Sequence, residues 1–403
     1  MGCASSVDGA QTPNRDEHRT LNEFETGRVL GKGAFSVCRA AVHVATGERV
    51  AIKTVDKNSN VYNNQMMQAE MEILQLVKHP ACMQLSYLFE SLDSIHIVME
   101  RALGGTLQDR IETEGSLKEF AAATILTQLL DGLNHLHSLG VAHRDVKPSN
   151  ILMLSNHHDS PRFNLIKLTD YGLAALECGG YEECMDMVCG TPMYAAPEML
   201  RIAAEKCTRK YSQKVDVWSA GCTLYAMLSG ASPFQEFSGR TIQMVTKIVA
   251  GDYTLTEDKW NDITSQAKTV LRSLMQLDPS IRPTAKDAKS KTKIWATASR
   301  RRERSKRAMV FESLENDESD MSFASTISHE GSLKYVANVS CDSSPRSVDM
   351  QKFGDYNCDN NSGCKNLSPS NISATTTREH LLLDDDRRSD GMETLFVLSR
   401  NAA

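Results

Sequence analysis

Residues 143–150 of this chain, His-Arg-Asp-Val-Lys-Pro-Ser-Asn, combine three side-chain types that phosphate transfer requires. Asp145 can orient a hydroxyl group and accept its proton, and Lys147 can neutralise a phosphate in transfer. Asn150 offers an amide oxygen that can hold a metal ion bridging phosphates. Chance is a poor explanation for so long a run of suitable residues, so the segment predicts phosphoryl-transfer chemistry.

Two segments nearer the N-terminus can handle the phosphates of a nucleotide. Residues 30–37, Leu-Gly-Lys-Gly-Ala-Phe-Ser-Val, lie between strand-like segments, and their glycines let backbone amides approach phosphates closely. Residues 50–53, Val-Ala-Ile-Lys, read as a buried strand in which Lys53 interrupts the apolar run. Such a lysine either points to the surface or binds phosphate, and the neighbouring segments favour phosphate.

The segment 65–77 predicts a helix that carries a carboxylate partner for Lys53. Glu70 and Glu72 are both candidates for this partner. Apolar residues recur on one broad face of the helix with its 3.6-residue period: Met66, Ala69, Ile73, Leu74 and Val77.

Four later segments complete the pattern. They are Leu-Thr-Asp-Tyr-Gly at 168–172, Gly-Thr-Pro-Met-Tyr-Ala-Ala-Pro-Glu at 190–198, Asp-Val-Trp-Ser-Ala-Gly at 216–221 and Asp-Pro-Ser-Ile-Arg-Pro at 278–283. In this order, the whole set resembles the eukaryotic protein kinases of the Ser/Thr type. The resemblance covers residues 24–295, and its C-terminal part is most similar to the calcium/calmodulin-dependent kinase group.

This resemblance implies an α+β, bilobal protein kinase fold with a small β-rich N-lobe, a larger helical C-lobe and a disordered C-terminal tail. It implies ATP and Mg²⁺ as cofactors and a Ser or Thr hydroxyl of a protein substrate as the acceptor, because Lys147 and Thr191 follow the Ser/Thr pattern. The implied catalytic residues are Asp145, Lys147, Lys53 and Glu70, and the implied metal ligands are Asn150 and Asp170.

The resemblance also implies the residues that contact the nucleotide. Met99 would border the pocket behind adenine, and the backbone of Glu100 and Ala102 would meet the adenine edge. The full implied set is Leu30, Gly31, Lys32, Gly33, Ala34, Phe35, Ser36, Val37, Ala51, Lys53, Met99, Glu100, Ala102 and Leu152. For Glu198 and Arg282 the resemblance implies a buried ion pair. For Asp216 it implies a structural role that braces the catalytic loop.

The chain departs from the family pattern at two places near the phosphates. Ser36 replaces the third glycine of the loop, a common variation that keeps the loop functional. Tyr171 replaces a phenylalanine and keeps the aromatic bulk that packs under the helix carrying Glu70. Its hydroxyl needs a hydrogen-bond partner if it is buried. We expect this change to alter the balance of active and inactive states without abolishing chemistry.

The segment from Asp170 to Gly190 contains no Ser or Thr, and Met187 stands where a phosphothreonine is expected. Kinases with an arginine before the catalytic aspartate often need a phosphate there to pair with it. One hypothesis is that a nearby carboxylate pairs with Arg144 and gives activity without phosphorylation, the candidates being Glu182, Glu183 and Asp186. The alternative is a solvated acidic loop.

Two positions that recognise substrate arginines in basophilic relatives hold Thr106 and Ser149 here, and neither is acidic. An arginine-directed substrate therefore does not follow from the resemblance.

The N-terminus carries two candidate acylation sites. Gly2 has Ser6 at the position that an N-myristoyl acceptor favours, and Cys3 can be palmitoylated. One myristoyl chain binds membranes only marginally, so Cys3 would supply the second signal. The prediction is a flexible acylated leader at 1–23 and a location on the cytoplasmic face of a membrane with a cytosolic pool. An unmodified leader is the alternative.

After the domain at 24–295, a basic segment at 296–311 precedes a tail at 312–403 rich in Ser, Asn and Asp, which is predicted to be disordered. The basic block at 300–307 has three readings. It is a solvated helix end, a contact with anionic membrane lipids, or, with Trp295 before it, a calmodulin-binding or autoinhibitory helix. Because apolar anchor residues for calmodulin are sparse in this segment, lipid contact ranks ahead of calmodulin binding.

Composition excludes other classes of function. The formal net charge of −6 argues against general nucleic-acid binding, and no run of eighteen apolar residues predicts a membrane span. Eleven cysteines without disulfide-like spacing fit reduced thiols. The rival to an active enzyme is a pseudokinase that serves as a scaffold, and it would not need Lys53, Asp145, Asn150 and Asp170 together. A third possibility is that the tail is the main interaction platform.

Overall fold

The computed structural model describes residues 21–33, 36–60, 62–176, 191–205, 211–235, 241–256 and 258–323. Up to residue 312 the described residues belong to one unit, and residues 313–323 belong to a second. The leader with Gly2 and Cys3, and the tail beyond 323, lie outside these ranges, so the acylation and disorder assigned to them stay predictions.

The N-terminal part of the domain is a five-stranded antiparallel sheet with the strand order β1-β2-β3-β5-β4. One face packs on a small cluster made of Phe24, Ala41, Val50, Ile52 and Val98. Because successive side chains alternate between faces, the opposite face carries the residues between these. The strands are β1 Phe24–Lys32, β2 Ser36–His43, β3 Arg49–Asp56, β4 Leu85–Glu90 and β5 Ser94–Glu100.

Helix α1, Asn64–Leu76, lies between β3 and β4 in the chain. Asn63 caps it by accepting a hydrogen bond from the Met66 amide at 3.1 Å. The expected buried face was wrong by one residue at its start, because Met67 and Glu70 are buried while Met66 is 37% exposed. Both choices of buried face fit a 3.6-residue period. Periodicity alone argues against burying the Glu70 carboxylate, because a buried carboxylate needs a partner such as Lys53.

The C-terminal part is mainly helical. The helix at 214–229 is buried on nearly every side, which explains why it lacks an amphipathic pattern. The helices are α2 Leu107–Glu114, α3 Glu119–Ser138, α4 Pro197–Glu205, α5 Lys214–Ser229, α6 Thr241–Ala250, α7 Ser265–Leu274 and α8 Ala285–Phe323. Two short antiparallel pairs join β6 Val141–Ala142 to β9 Ala175–Leu176 and β7 Ile151–Met153 to β8 Ile166–Leu168. The predicted α+β bilobal architecture is confirmed.

Helix α8 continues through both residue 295 and residue 311, so secondary structure does not change at either of these predicted boundaries. The side chain of Trp295 is completely buried. None of the helices in the described ranges combines the length and apolar composition needed to cross a bilayer.

Candidate active site

The loop at 143–150 connects β6 to β7. It is held by hydrogen bonds to Asp216, which lies in the first turn of α5. The Asp216 carboxylate accepts hydrogen bonds from the amides of His143 at 2.9 Å and Arg144 at 2.8 Å, and contacts the His137 ring at 2.9 Å. Burial alone would raise the pKa of Asp216, but the bonds from His137 and the loop backbone hold it below its usual value. The carboxylate therefore stays ionised and fixes the loop backbone.

Arg144 adopts a positive φ of 66°, which is uncommon outside glycine. Its amide is held by Asp216, its Nε donates to the Leu173 carbonyl, and its Nη1 donates to the Tyr211 hydroxyl at 3.2 Å. These contacts fix the turn that presents Asp145. The acidic residues proposed as partners of Arg144 lie at 182–186, outside the described ranges, so that hypothesis stays a prediction.

Asp145 is the centre of a hydrogen-bonded network in the loop. Its Oδ2 lies 3.1 Å from Lys147 Nζ and accepts from Asn150 Nδ2 at 2.8 Å, while its Oδ1 accepts from the Thr191 amide at 3.1 Å. Lys147 also donates to the Thr191 hydroxyl at 2.8 Å. The structure thus brings the candidate base and the candidate cation together with the loop predicted to position a substrate.

Asn150 and Asp170 are brought to one end of the β7–β8 pair, because Ile151 pairs with Leu168 in its register. The Thr169 amide donates to the Asn150 carbonyl at 3.0 Å, which fixes the two chain segments side by side. The Asn150 side-chain nitrogen donates to Asp145, so the side-chain oxygen is the atom that would bind a metal ion.

One carboxylate and one amide oxygen suit Mg²⁺, which usually takes few protein ligands and fills its octahedron with phosphate oxygens and water. The donor set therefore fits this metal. No larger group of His, Cys, Asp or Glu side chains forms a metal site within the described ranges.

Lys53 on β3 pairs with Glu70 on α1, with Nζ and Oε1 2.6 Å apart. Glu72 is exposed, so the structure separates the two candidate partners. Burial alone would lower the pKa of Lys53, but the carboxylates of Glu70 and Asp170 outweigh it and the pKa is raised. Lys53 therefore keeps its positive charge and is suited to bind a phosphate.

Residues 24–294 match the family model of the protein kinase domain. The chain belongs to the protein kinase family. A probable serine/threonine-protein kinase of Dictyostelium discoideum is 36% identical over 282 residues, covering 68% of this chain and 37% of that protein. A serine/threonine-protein kinase H1 homolog of Pinctada fucata is 35% identical over 270 residues, covering 67% and 61%. The kinase described here thus spans less than two thirds of either relative.

A shorter relative, a probable myosin light chain kinase of Dictyostelium discoideum, is 35% identical over 268 residues, covering 66% of this chain and 82% of that protein.

The connection that leaves β5 is fixed by an ion pair and by backbone hydrogen bonds. The Glu100 carboxylate accepts from Lys167 Nζ at 2.7 Å and from the Gln84 amide at 3.1 Å. Further along, the Gly104 amide donates to the Met153 carbonyl at 2.8 Å. A Cβ at Gly104 would lie 2.7 Å from that same oxygen, so only glycine permits this approach.

Among the other expected nucleotide contacts, Ala51 and Met99 are paired across β3 and β5 and both are buried. Leu152 is half-buried on β7, and Leu30 is 40% exposed at the edge of β1. Ala34 and Phe35 lie outside the described ranges and stay predictions.

The strand register places Cys38, and not the predicted Val37, on the face that carries Ala51 and Lys53. Cys38 pairs with Lys53 across β2 and β3, whereas Val37 pairs with Thr54. Directly paired residues share a face and neighbours along a strand do not, so Val37 lies on the face opposite Ala51 and Lys53. Alternation along β2 alone could not choose between Val37 and Cys38, because the register of β2 against β3 decides the face.

We expect bound nucleotide with Mg²⁺ to protect Cys38 from alkylation by N-ethylmaleimide. Burial raises the pKa of this thiol although Lys53 partly opposes it, so labelling should be slow at neutral pH and faster toward pH 9, because the thiolate reacts. Mass spectrometry of the Cys38 peptide measures the rate. A protein with Val37→Cys and Cys38→Val moves the thiol to the other face and should show no protection. Equal labelling of Cys38 with and without nucleotide would contradict the assignment.

Proposed function

We propose that this chain is an ATP-dependent serine/threonine protein kinase, which transfers the γ-phosphate of ATP to Ser or Thr hydroxyls of protein substrates. The observation that carries the proposal is the single network that joins Asp145 to Lys147, Asn150 and Thr191. The Lys53–Glu70 pair supports it, because this pair is a requirement of active protein kinases. The names of two relatives, both serine/threonine-protein kinases, also support it.

Each residue has a distinct role in this proposal. Asp145 orients the acceptor hydroxyl and takes its proton late in the transfer, and Lys147 neutralises charge on the phosphoryl group. Lys53 holds the phosphates, while Asn150 and Asp170 would hold Mg²⁺. When bound, ATP with Mg²⁺ supplies the activated phosphoryl group.

The rival function, a scaffold that has lost catalysis, receives little support. A pseudokinase has no need to keep Lys53 charged or to hold the Asp145 carboxylate in a network with a lysine. The test is radioactive phosphate transfer from ATP to a mixture of peptides, followed by identification of the phosphorylated amino acid. Phosphoserine or phosphothreonine that disappears on chelation of Mg²⁺ is the expected result, and absence of transfer favours the scaffold.

Activity without phosphorylation of the activation segment is a further part of the proposal. It is motivated by the absence of Ser and Thr between Asp170 and Gly190. The preparation assayed should come from bacteria and be treated with phosphatase. Inactivity that only phosphorylation restores would defeat this part alone.

We also propose that the substrate is not selected by arginine. Thr106 is the N-cap of α2, and its hydroxyl accepts from the Asp109 amide at 3.0 Å. The nearby Asp109 carboxylate accepts a hydrogen bond from the Thr106 amide at 2.7 Å. This carboxylate is therefore engaged in the helix cap. An oriented peptide library that shows strong arginine selection would contradict the idea.

Membrane association is proposed through Gly2 and Cys3, with the basic block of α8 as a second contact. The Glu119 clasp, the bonds from Trp295 Nε1 at 2.8 Å and Arg302 Nη2 at 3.3 Å to the Glu119 carboxylate, fastens α8 to α3. A calmodulin target helix must offer its apolar anchors to the partner, and Trp295 is completely buried. The clasp therefore favours lipid over calmodulin.

Among the side chains of this block that the structure describes, the exposed cations are Arg300, Arg301, Arg304 and Lys306. Each basic residue near an anionic bilayer contributes about 1 kcal/mol of binding. We expect the unacylated chain to sediment with phosphatidylserine vesicles and to lose this binding when Arg301, Arg304 and Lys306 are changed to Glu. Phosphatidylcholine vesicles are the control. Retention on calmodulin resin with calcium, without vesicle binding, would instead favour calmodulin.

A further inference from the structure

Tyr171 follows Asp170 and is only 2% exposed. Its ring meets the His143 ring nearly edge-on, with the centroids 5.6 Å apart. A buried hydroxyl without a partner is costly, because the group loses its bonds to water. Here the hydroxyl donates to the carbonyl oxygen of Leu168 at 3.2 Å. A phenylalanine would fill the same space but could not make this bond.

The Leu168 carbonyl belongs to a junction between β8 and the segment that follows α1. The Met83 amide donates to this same oxygen at 2.8 Å, and the Leu168 amide donates to the Ala81 carbonyl at 2.8 Å. Cys82 lies between these two residues and forms a parallel bridge with Leu168. The Tyr171 hydroxyl therefore bonds to the same carbonyl oxygen through which β8 is held to the segment after α1.

This junction has little freedom to move. A Cβ at Gly132 of α3 would lie 3.1 Å from the Cys82 sulfur and 3.6 Å from the Ala81 Cβ. Residues 81–82 therefore pack tightly against α3. Cys82 and Tyr171 are both buried at this junction, and the Tyr171 hydroxyl donates to an acceptor that is already fixed by the Met83 amide.

Asp170 needs such an anchor because its φ is +68°, a sparsely populated conformation for a residue with a side chain. The surroundings must hold it on both sides. On the N-terminal side, the Thr169 amide is bonded to the Asn150 carbonyl at 3.0 Å. On the C-terminal side, the side-chain anchor is the Tyr171 hydroxyl. In this conformation the Asp170 carboxylate acts electrostatically on Lys53.

We propose that the Tyr171 hydroxyl is a positioning group for Asp170, holding the metal-ligating carboxylate in place through its bond to Leu168. Its loss weakens the use of Mg²⁺ by the kinase more than it weakens the fold. The inference rests on the proposed function, because it assigns Asp170 to the metal. The proposal also says how tyrosine at this position shifts the balance of active and inactive states. The hydroxyl stabilises the arrangement in which Lys53 is paired with Glu70.

The test compares Tyr171→Phe with Tyr225→Phe. Tyr225 is also buried and donates to a backbone carbonyl, that of Thr254 at 3.1 Å, but it lies on α5 outside the site. Loss of one net hydrogen bond corresponds to about a fivefold change in an equilibrium constant. We expect Tyr171→Phe to raise the Mg²⁺ concentration for half-maximal transfer about fivefold at saturating ATP. Tyr225→Phe should leave it unchanged, while both variants lower Tm similarly.

A Tyr171→Phe protein with lowered Tm and a wild-type Mg²⁺ dependence would overturn the inference, since the hydroxyl would then be merely structural. Absence of transfer in the wild type would instead count against the proposed function. In that case, Mg²⁺-dependent binding of a fluorescent ATP analogue replaces the rate as the readout, and the same shift between wild type and Tyr171→Phe is expected. An unshifted binding curve would again overturn the inference.

Discussion

Replacement of Asp145 by asparagine is expected to slow phosphate transfer by about 10²–10⁴-fold, the usual contribution of a general base. Asparagine has nearly the same shape but cannot take a proton. It also cannot satisfy its neighbours, because Oδ1 accepts from Thr191 and Oδ2 accepts from Asn150 and faces Lys147. One of these donors would face an amide NH₂, so the substrate-positioning loop would loosen as well.

Initial rates with radioactive ATP measure this effect, and circular dichroism checks that the fold is kept. Asp252→Asn is the matched control, because this aspartate is exposed and pairs with Lys247 away from the site. Its rate should equal that of the wild type. Equal incorporation by Asp145→Asn and wild type would defeat the catalytic assignment.

Replacement of Glu198 by glutamine is expected to lower the free energy of unfolding by about 3–5 kcal/mol. The Arg282 guanidinium is completely buried and binds Glu198 through two bonds, at 2.6 and 3.0 Å. It also donates to the carbonyls of Gln276 and Lys214. Glutamine keeps one acceptor but removes the counter-charge and turns an NH₂ group toward the cation. The buried charge is then uncompensated.

Urea unfolding followed by tryptophan fluorescence measures the loss. Glu303→Gln is the matched control, because its partner Lys118 is largely exposed and surface pairs are worth about 0–1 kcal/mol. A loss for Glu198→Gln no larger than that for Glu303→Gln would show that the pair is not needed to compensate Arg282.

Local motifs predicted the part of the site that lies close together in the chain. Asp145, Lys147 and Asn150 share one loop, so their spacing alone placed them together. The choice of Glu70 over Glu72 needed the family resemblance, because periodicity alone pointed to a face that starts at Met66. The structure resolves this by burying Glu70 against Lys53.

The contacts that sequence reasoning missed depend on sheet register or on distant segments. Cys38 shares the face of Ala51 and Lys53 only because β2 pairs with β3 in one register, and a shift by one residue would have placed Val37 there. Glu119 and Trp295 are 176 residues apart, and no local pattern marks them as partners. His137 likewise reaches Asp216 from a different helix.

The Glu119 clasp sets where this kinase can be shortened. The family match ends at residue 294, but Arg302, two helical turns further on, still bonds to the domain. A protein cut at the end of the match would keep every catalytic residue and would lose the last contacts that hold α8. The contacts that hold α8 therefore extend beyond the family match, and a shortened protein intended for crystallisation should end beyond residue 303.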